Sequence, residues 1–166
     1  MAFKYIWHVN VNCSNLERSK AFYEMLGFTS VWELSTEKIQ AEAPKTDGAT
    51  LPDGMGLPDR SWAGRSHIMM LNPGEEEETR LDLIQWDDPS DPAPPYPHLG
   101  RLGINRICLG VEDLAGLEEE YERLVKAGVE FLSPVVKLGN GAFVNMKDPD
   151  GTIIEMMTIP TIPDQS

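Results

Sequence analysis

Cysteine is scarce in this chain, and basic charge is scarcer than acidic. Two cysteines, Cys13 and Cys108, stand among 166 residues with no CxxC and no Cys/His spacing. A disulfide framework and a cysteine-ligated zinc site are therefore not expected, and both residues read as small buried side chains. No run approaches the roughly 18 uninterrupted apolar residues a membrane span needs, and the opening residues hold no apolar signal-peptide core. The expectation is a cytoplasmic protein with no membrane contact. Lys and Arg number 14 against 27 Asp and Glu, a net charge of −13. Such a field repels phosphate backbones, and no basic cluster reverses it locally, so nucleic acid is not an expected partner. With 41% hydrophobic residues, the chain can bury a core, as one compact domain or two small modules.

The segment Tyr5-Ile6-Trp7-His8-Val9-Asn10-Val11-Asn12-Cys13 alternates with period two, which predicts a strand with Trp7, Val9, Val11 and Cys13 on one face. His8, Asn10 and Asn12 fall on the other. Ser14-Asn15-Leu16-Glu17 has the capping pattern that opens a helix, with Leu16, Phe22, Tyr23 and Leu26 as its apolar stripe and Gly27 as its stop. A second segment, residues 103–111, alternates in the same way and leads through Asp113 into a helix with Leu114, Leu117, Tyr121 and Leu124 inward, ended by Gly128. Displacing the first segment by 98 positions sets His8 on Arg106, Asn15 on Asp113 and Tyr23 on Tyr121. The chain is an internal duplication.

Each half closes on a strand holding a carboxylate between apolar neighbours, Asp82 in Leu81-Asp82-Leu83 and Glu155 in Ile154-Glu155-Met156. These two acids occupy equivalent places. The first half is longer by 25 residues, which fall within the Gly/Pro-rich, weakly periodic stretch 37–65. That stretch has the composition of a lid or of a plain surface excursion. The expected layout is a first module over 1–88, a stiff proline-rich linker over 89–100, a second module over 101–160 and a tail over 161–166. Asp148-Pro149-Asp150-Gly151 reads as a hairpin turn, and Glu75-Glu76-Glu77-Glu78 as the solvated tip of the matching turn.

The run His8-Val9-Asn10-Val11 followed by Leu16-Glu17-Arg18-Ser19 and Ala21-Phe22-Tyr23-Glu24-Met25-Leu26-Gly27-Phe28, with Asp148-Pro149-Asp150-Gly151 and Ile154-Glu155, resembles the vicinal oxygen chelate superfamily. That superfamily includes glyoxalase I, methylmalonyl-CoA epimerase, extradiol dioxygenases and bleomycin-resistance proteins. The resemblance implies an α+β fold of two βαβββ modules, their sheets joined into a curved, cup-like surface with the helices outside. It implies metal ligands on the first and last strands of each module, which here fall at His8, Asp82, Arg106 and Glu155. It also implies a homodimer.

Strand parity, read without the family, sets these four on the face opposite the helix-facing stripe, so that they are expected to meet in one cavity. His8, Asp82 and Glu155 suit a divalent metal (zinc, nickel, manganese or iron(II)) with open positions for substrate oxygens; no nucleotide cofactor is indicated. Such an ion would bind two adjacent substrate oxygens and stabilise the enolate formed when a carboxylate removes a neighbouring proton. Arg106 does not belong in that set. A guanidinium has no lone pair to give, and a unit charge about 5 Å from a dication costs roughly 7 kcal/mol at an effective dielectric near 20. Arg106 either pairs with Asp82 and Glu155 or swings toward the substrate as an anchor for a carboxylate or an enolate oxygen.

Asn10, Asn12 and Asn145 are further substrate-binding candidates, and His67, on the face of Met69, is a second-rank one. His98 reads as surface. Met55, Met69, Met157, Trp32, Trp62 and Trp86 read as core or as the lining of an apolar pocket. Two functions follow. One is a glyoxalase-like lyase, isomerase or oxygenase acting on a small oxygenated metabolite, with Glu155 and Arg106 in catalysis. The other is a metal-free protein that binds and sequesters a small molecule, as bleomycin-resistance proteins do.

Overall fold

A computed structural model describes residues 5–38, 63–76, 78–88, 90–95, 102–139 and 141–158. The expectations for Met55, Trp62 and His98, for most of the 37–65 stretch and for the 161–166 tail lie outside the described residues. The chain divides into two compact units, Met1–Ala93 and Pro94–Ser166. No helix among the described residues is long and apolar enough to cross a membrane.

The first unit holds β1 (Val9–Asn12), α1 (Leu16–Met25), β2 (Thr29–Ser35), β3 (Ala63–Leu71) and β4 (Thr79–Asp88). Its sheet order is β1-β4-β3-β2, with β1 parallel to β4 and the other pairs antiparallel. The second unit repeats this with β5 (Ile107–Val111), α2 (Leu114–Lys126), β6 (Val136–Leu138), β7 (Gly141–Lys147) and β8 (Ile153–Thr158), in the order β5-β8-β7-β6. The duplication read from the sequence is therefore a duplication of topology. It belongs to the α+β class.

Both helices start and stop for the reasons the sequence suggested. Asn15 accepts a hydrogen bond from the Arg18 amide at 3.0 Å, and Asp113 accepts one from the Gly116 amide at 2.8 Å, each satisfying an N-terminal donor the helix leaves free. Past the ends, Gly27 and Gly128 take φ of 94° and 86°, the left-handed conformation that ends a helix cheaply only without a side chain. Helix α1 presses Leu16, Ser19, Phe22 and Tyr23 inward. Val11, Met69, Leu81 and Leu83 supply the buried side chains of the sheet. Tyr23 meets Phe22 and Phe28 edge-on with centroids 5.3 and 5.8 Å apart. In the second unit Leu117 and Leu124 of α2 are fully buried, as are Val144, Met146 and Ile154 of the sheet.

Strand β7 shows the alternation most clearly. Ala142, Val144 and Met146 are buried, whereas Gly141, Phe143, Asn145 and Lys147 keep partial exposure. One face of each sheet is thus closed by its helix and the other carries the polar residues. The turn at 148–151 forms as expected: the Gly151 amide donates to the Asp148 carbonyl, Gly151 has φ of 94°, and the Asp148 carboxylate accepts from the amides of Asp150 and Thr152. In the matching turn of the first unit Glu75 and Glu76 are exposed, as a solvated tip requires, whereas Glu78 is engaged. Glu78 accepts from the Gly74 amide and pairs with Arg80, whose guanidinium carbon lies 3.7 Å from the centre of the Trp7 ring.

Three further expectations need correction. The strand expected over 5–13 is ordered as such only over Val9–Asn12, so His8 lies one residue before β1. Cys13 is buried but Cys108 is exposed, because the parity of β5 turns Ile107, Leu109 and Val111 toward the helix and leaves Cys108 on the open face. Trp32, on β2, is 60% exposed and is therefore not core.

Candidate functional site

The open face of the first unit is built around Asp82. In the parallel register of β1 with β4, Asp82 is the partner of Asn10, and across β3 it is the partner of Ile68. Side chains of paired residues share a face, so Asp82, Asn10, Ile68 and, two residues along, Ser66 and Asn12 form one surface. Asp82 has one carboxylate oxygen, Oδ1, that is buried and has no hydrogen-bond partner among the described residues. Burial pushes its carboxyl above the usual carboxylate range, against the opposing pull of a hydrogen bond from Ser66 and of the nearby His8 charge. His8 is near enough for its charge to act on Asp82, and its position two residues before Asn10 sets it toward the same face. Asn12 accepts from the indole N–H of Trp86 at 3.0 Å, so its carbonyl oxygen is already engaged.

His67 is not part of this surface. It pairs with Leu83, and both lie on the face that α1 covers. Its Nδ1 is 2.8 Å from the Ser30 hydroxyl, and its Nε2 is 3.9 Å from a Glu17 carboxylate oxygen on α1. Burial is the main cause that lowers its pKa, followed by the charge of Lys20.

The open face of the second unit has the same frame. Glu155 is the partner of Cys108 on one side and of Asn145 on the other. Since Cys108 is 98 positions from Asn10, the registers make Glu155 the counterpart of Asp82, as the duplication implied. Arg106 stands two residues before Cys108, just as His8 stands two before Asn10. Its Nη1 lies 3.2 Å from Glu155 Oε1, with Glu155 only 9% exposed in its side chain and Arg106 40%. Of the two fates foreseen for Arg106, pairing with Glu155 is the one found in this unit. Cys108 is exposed as a residue, yet partial desolvation of its sulfur first, then its hydrogen bond to Glu155 and the Glu155 charge, push the thiol up to about 11. It is therefore a protonated donor near neutral pH. Asn145 Oδ1 is buried without a hydrogen-bond partner among the described residues.

Sequence reasoning missed Cys108 and Ser66 as neighbours of the two acids. The repeat offset that places Cys108 on Asn10, and the two-residue spacing from Ser66 to Ile68, carried that information.

Within either unit, no three described His, Cys, Asp or Glu side chains stand close enough together to hold a metal ion. His8 and Asp82, with its unpartnered oxygen, fit as two donors of a larger set. Glu155 does not fit, because a fixed guanidinium 3.2 Å away would face the cation.

Two βαβββ units, each with a carboxylate on the last strand facing away from the helix, define a glyoxalase-type scaffold. The chain belongs to the Glyoxalase/Bleomycin resistance protein/Dioxygenase superfamily, whose model matches residues 5–156. Among solved structures it is similar to a glyoxalase family protein from Bacillus cereus, with 21% identity and a TM-score of 0.70 over 95% of this chain and 97% of that one. It is also similar to a glyoxalase family protein from Enterococcus faecalis, with 24% identity and a TM-score of 0.63 over 95% and 99%. A third similar structure is the fosfomycin resistance protein FosX from Listeria monocytogenes, complexed with Mn(II) and sulfate, at 11% identity and a TM-score of 0.58 over 95% and 94%. At these identities the likeness is one of fold. A comparison with curated proteins finds no match.

Proposed function

We propose that the protein is an enzyme acting on a small oxygenated metabolite, a lyase, isomerase or oxygenase of the glyoxalase type, and that Asp82 is its proton-transfer group. One observation carries the reading. On the helix-free face Asp82 has a buried oxygen with no partner among the described residues, and burial brings its carboxyl closer to neutral pH than an ordinary aspartate. An unpaired buried acceptor costs about 1–3 kcal/mol, a cost that a ligand hydroxyl or a transferred proton removes. A carboxyl shifted upward also serves better as a general base, since it holds a proton more firmly once it has taken it.

In this scheme Asp82 removes a proton from a carbon beside a carbonyl group. Ser66 fixes the carboxylate by its hydrogen bond, and His8 supplies a positive or hydrogen-bonding neighbour. Asn10, beside Asp82 in register, offers an amide to the substrate oxygen. A divalent ion held by His8 and Asp82 would instead supply Lewis-acid polarisation of that oxygen, and its charge would lower the Asp82 carboxyl and weaken it as a base. On the second unit, Arg106 and Asn145 are ligand-binding groups.

Deuterium incorporation into dihydroxyacetone in D2O, followed by proton NMR, tests this. The intact protein accelerates exchange over buffer, and Asp82→Asn lowers the acceleration by about 10²–10⁴-fold, the scale of general-base catalysis. No acceleration by the natural protein, or an unchanged one in the variant, overturns the reading. A sequestering protein is the second reading, favoured by the Arg106–Glu155 ion pair, which leaves Glu155 without a free carboxylate for chemistry. It expects ligand binding without turnover.

A further inference from the structure

The two units put different charges at one position of a common frame. His8 precedes by two residues the partner of Asp82, and Arg106 precedes by two the partner of Glu155. An imidazole can offer a lone pair, whereas a guanidinium has five donors and none to offer. Around Glu155 both flanks are donors: Arg106 Nη1 at 3.2 Å, and the Cys108 thiol hydrogen-bonded from the neighbouring strand. The Glu155 side chain is 9% exposed and that of Arg106 is 40% exposed. The carboxylate is therefore the inner partner, and the guanidinium keeps an outer edge on the helix-free face.

We propose that Arg106 stands in place of a metal ligand in the second unit. Paired with Glu155, it closes that position to cations and offers its remaining N–H groups to a carboxylate on the ligand. The inference rests on the reading of this face as ligand-binding. A planar carboxylate suits a guanidinium because two parallel N–H donors match its two oxygens. Bridging by one arginine between an inner and an outer carboxylate keeps each donor edge in use. The buried Asn145 Oδ1, one strand from Glu155, is an acceptor that a hydroxyl or amine on the same ligand would satisfy. The ligand class is then a small carboxylate carrying a hydrogen-bond donor, held without a metal contact in this unit.

Two measurements on the intact chain test this: equilibrium dialysis against Mn²⁺, and calorimetric titration with benzoate against its neutral isostere benzamide. The natural protein is expected to show no Mn²⁺ binding that Glu155→Gln removes, and Arg106→His is expected to gain about one ion per chain, completing a His-plus-carboxylate pair. The natural protein is expected to prefer benzoate by about tenfold, the scale of one charge-assisted contact, with the preference lost in Arg106→Gln and partly kept in Arg106→Lys. Mn²⁺ binding by the natural protein that depends on Glu155 overturns the proposal. So does a failure of Arg106→His to gain the ion, or equal affinity for benzoate and benzamide. Thermal melts confirm that the variants fold, and Arg106→Lys separates a lost charge from a disturbed strand. Loss of proton exchange with an intact benzoate preference would sink the role of Asp82 alone.

Discussion

The two units share strand order, parallel pairing of first and last strands, an N-cap side chain and a positive-φ glycine after the helix, yet their open faces hold opposite chemistry. In the first, an acid made reluctant to ionise lies within range of a histidine's charge. In the second, an acid is paired with an arginine and flanked by a thiol donor. The closed faces drift less. Most helix-facing positions stay apolar and of similar volume, because the packing they join has little slack, and His67, where the second unit has Val144, is the exception. An open-face residue answers only to its partner and to solvent, so a duplicated scaffold diverges there first.

The largest effects should therefore come from the closed faces, and in similar size from both units. Leu83 and Leu117 are both fully buried, and Leu83→Ala or Leu117→Ala should each cost about 2–5 kcal/mol in urea unfolding. A cost below about 1 kcal/mol in one unit alone would show that its helix is not packed as described.

Next come the two acids, which should respond with opposite signs. Glu155→Gln leaves a half-exposed arginine without its counter-ion and should destabilise by about 1–2 kcal/mol, less than a fully buried pair because water reaches the guanidinium. Asp82→Asn should be neutral or stabilising at neutral pH. The folded state holds the Asp82 proton more tightly than the unfolded state does, so the natural protein loses stability as pH rises from the unfolded aspartate pKa through the raised folded one. The variant lacks that loss, and its advantage should vanish near pH 3. Equal destabilisation by both variants in pH-dependent melts would contradict the difference between the faces.

Much of this comparison was legible beforehand, because period two and a repeat offset are properties of the chain itself. Asn15 and Asp113 could be placed as caps, and Asp82 and Glu155 as equivalents, since each depends on local spacing. His67 could not be oriented. Ser66, His67, Ile68 and Met69 are all buried, so both faces of β3 read alike, and only the register with β4 shows that His67 shares the Leu83 side under α1. Cys108 was misjudged on composition, since a small apolar type in an apolar segment looks like core until the parity of β5 is fixed. The choice of Arg106 between its two fates needed distances, which sequence does not contain.

Helix caps should follow, with smaller and matched effects. Asn15→Ala and Asp113→Ala each remove one side-chain acceptor from an exposed helix N-terminus, and each should cost about 1 kcal/mol. A clear inequality between them in chemical denaturation would mean that the two helices depend on their caps to different degrees, despite equal geometry.

The smallest effect separates the closed face of the first unit from that of the second, which has no histidine among its described residues. His67 is buried between β2, β3 and α1, with Glu17, Lys20, Glu24 and Glu33 as its charged surroundings. Burial and the Lys20 charge lower its pKa more than the three glutamates raise it. The unfolded state then takes up the proton first as pH falls below about 6.5, so stability is full above that value and declines until the folded pKa is passed. His67→Gln keeps a partner for the Ser30 hydroxyl and removes the titration. Its melting temperature should lie slightly below that of the natural protein at pH 7.5 and draw level as the pH approaches 5. A constant difference across that range would show that the imidazole is not held neutral, and that the glutamates of α1 and β2 outweigh burial.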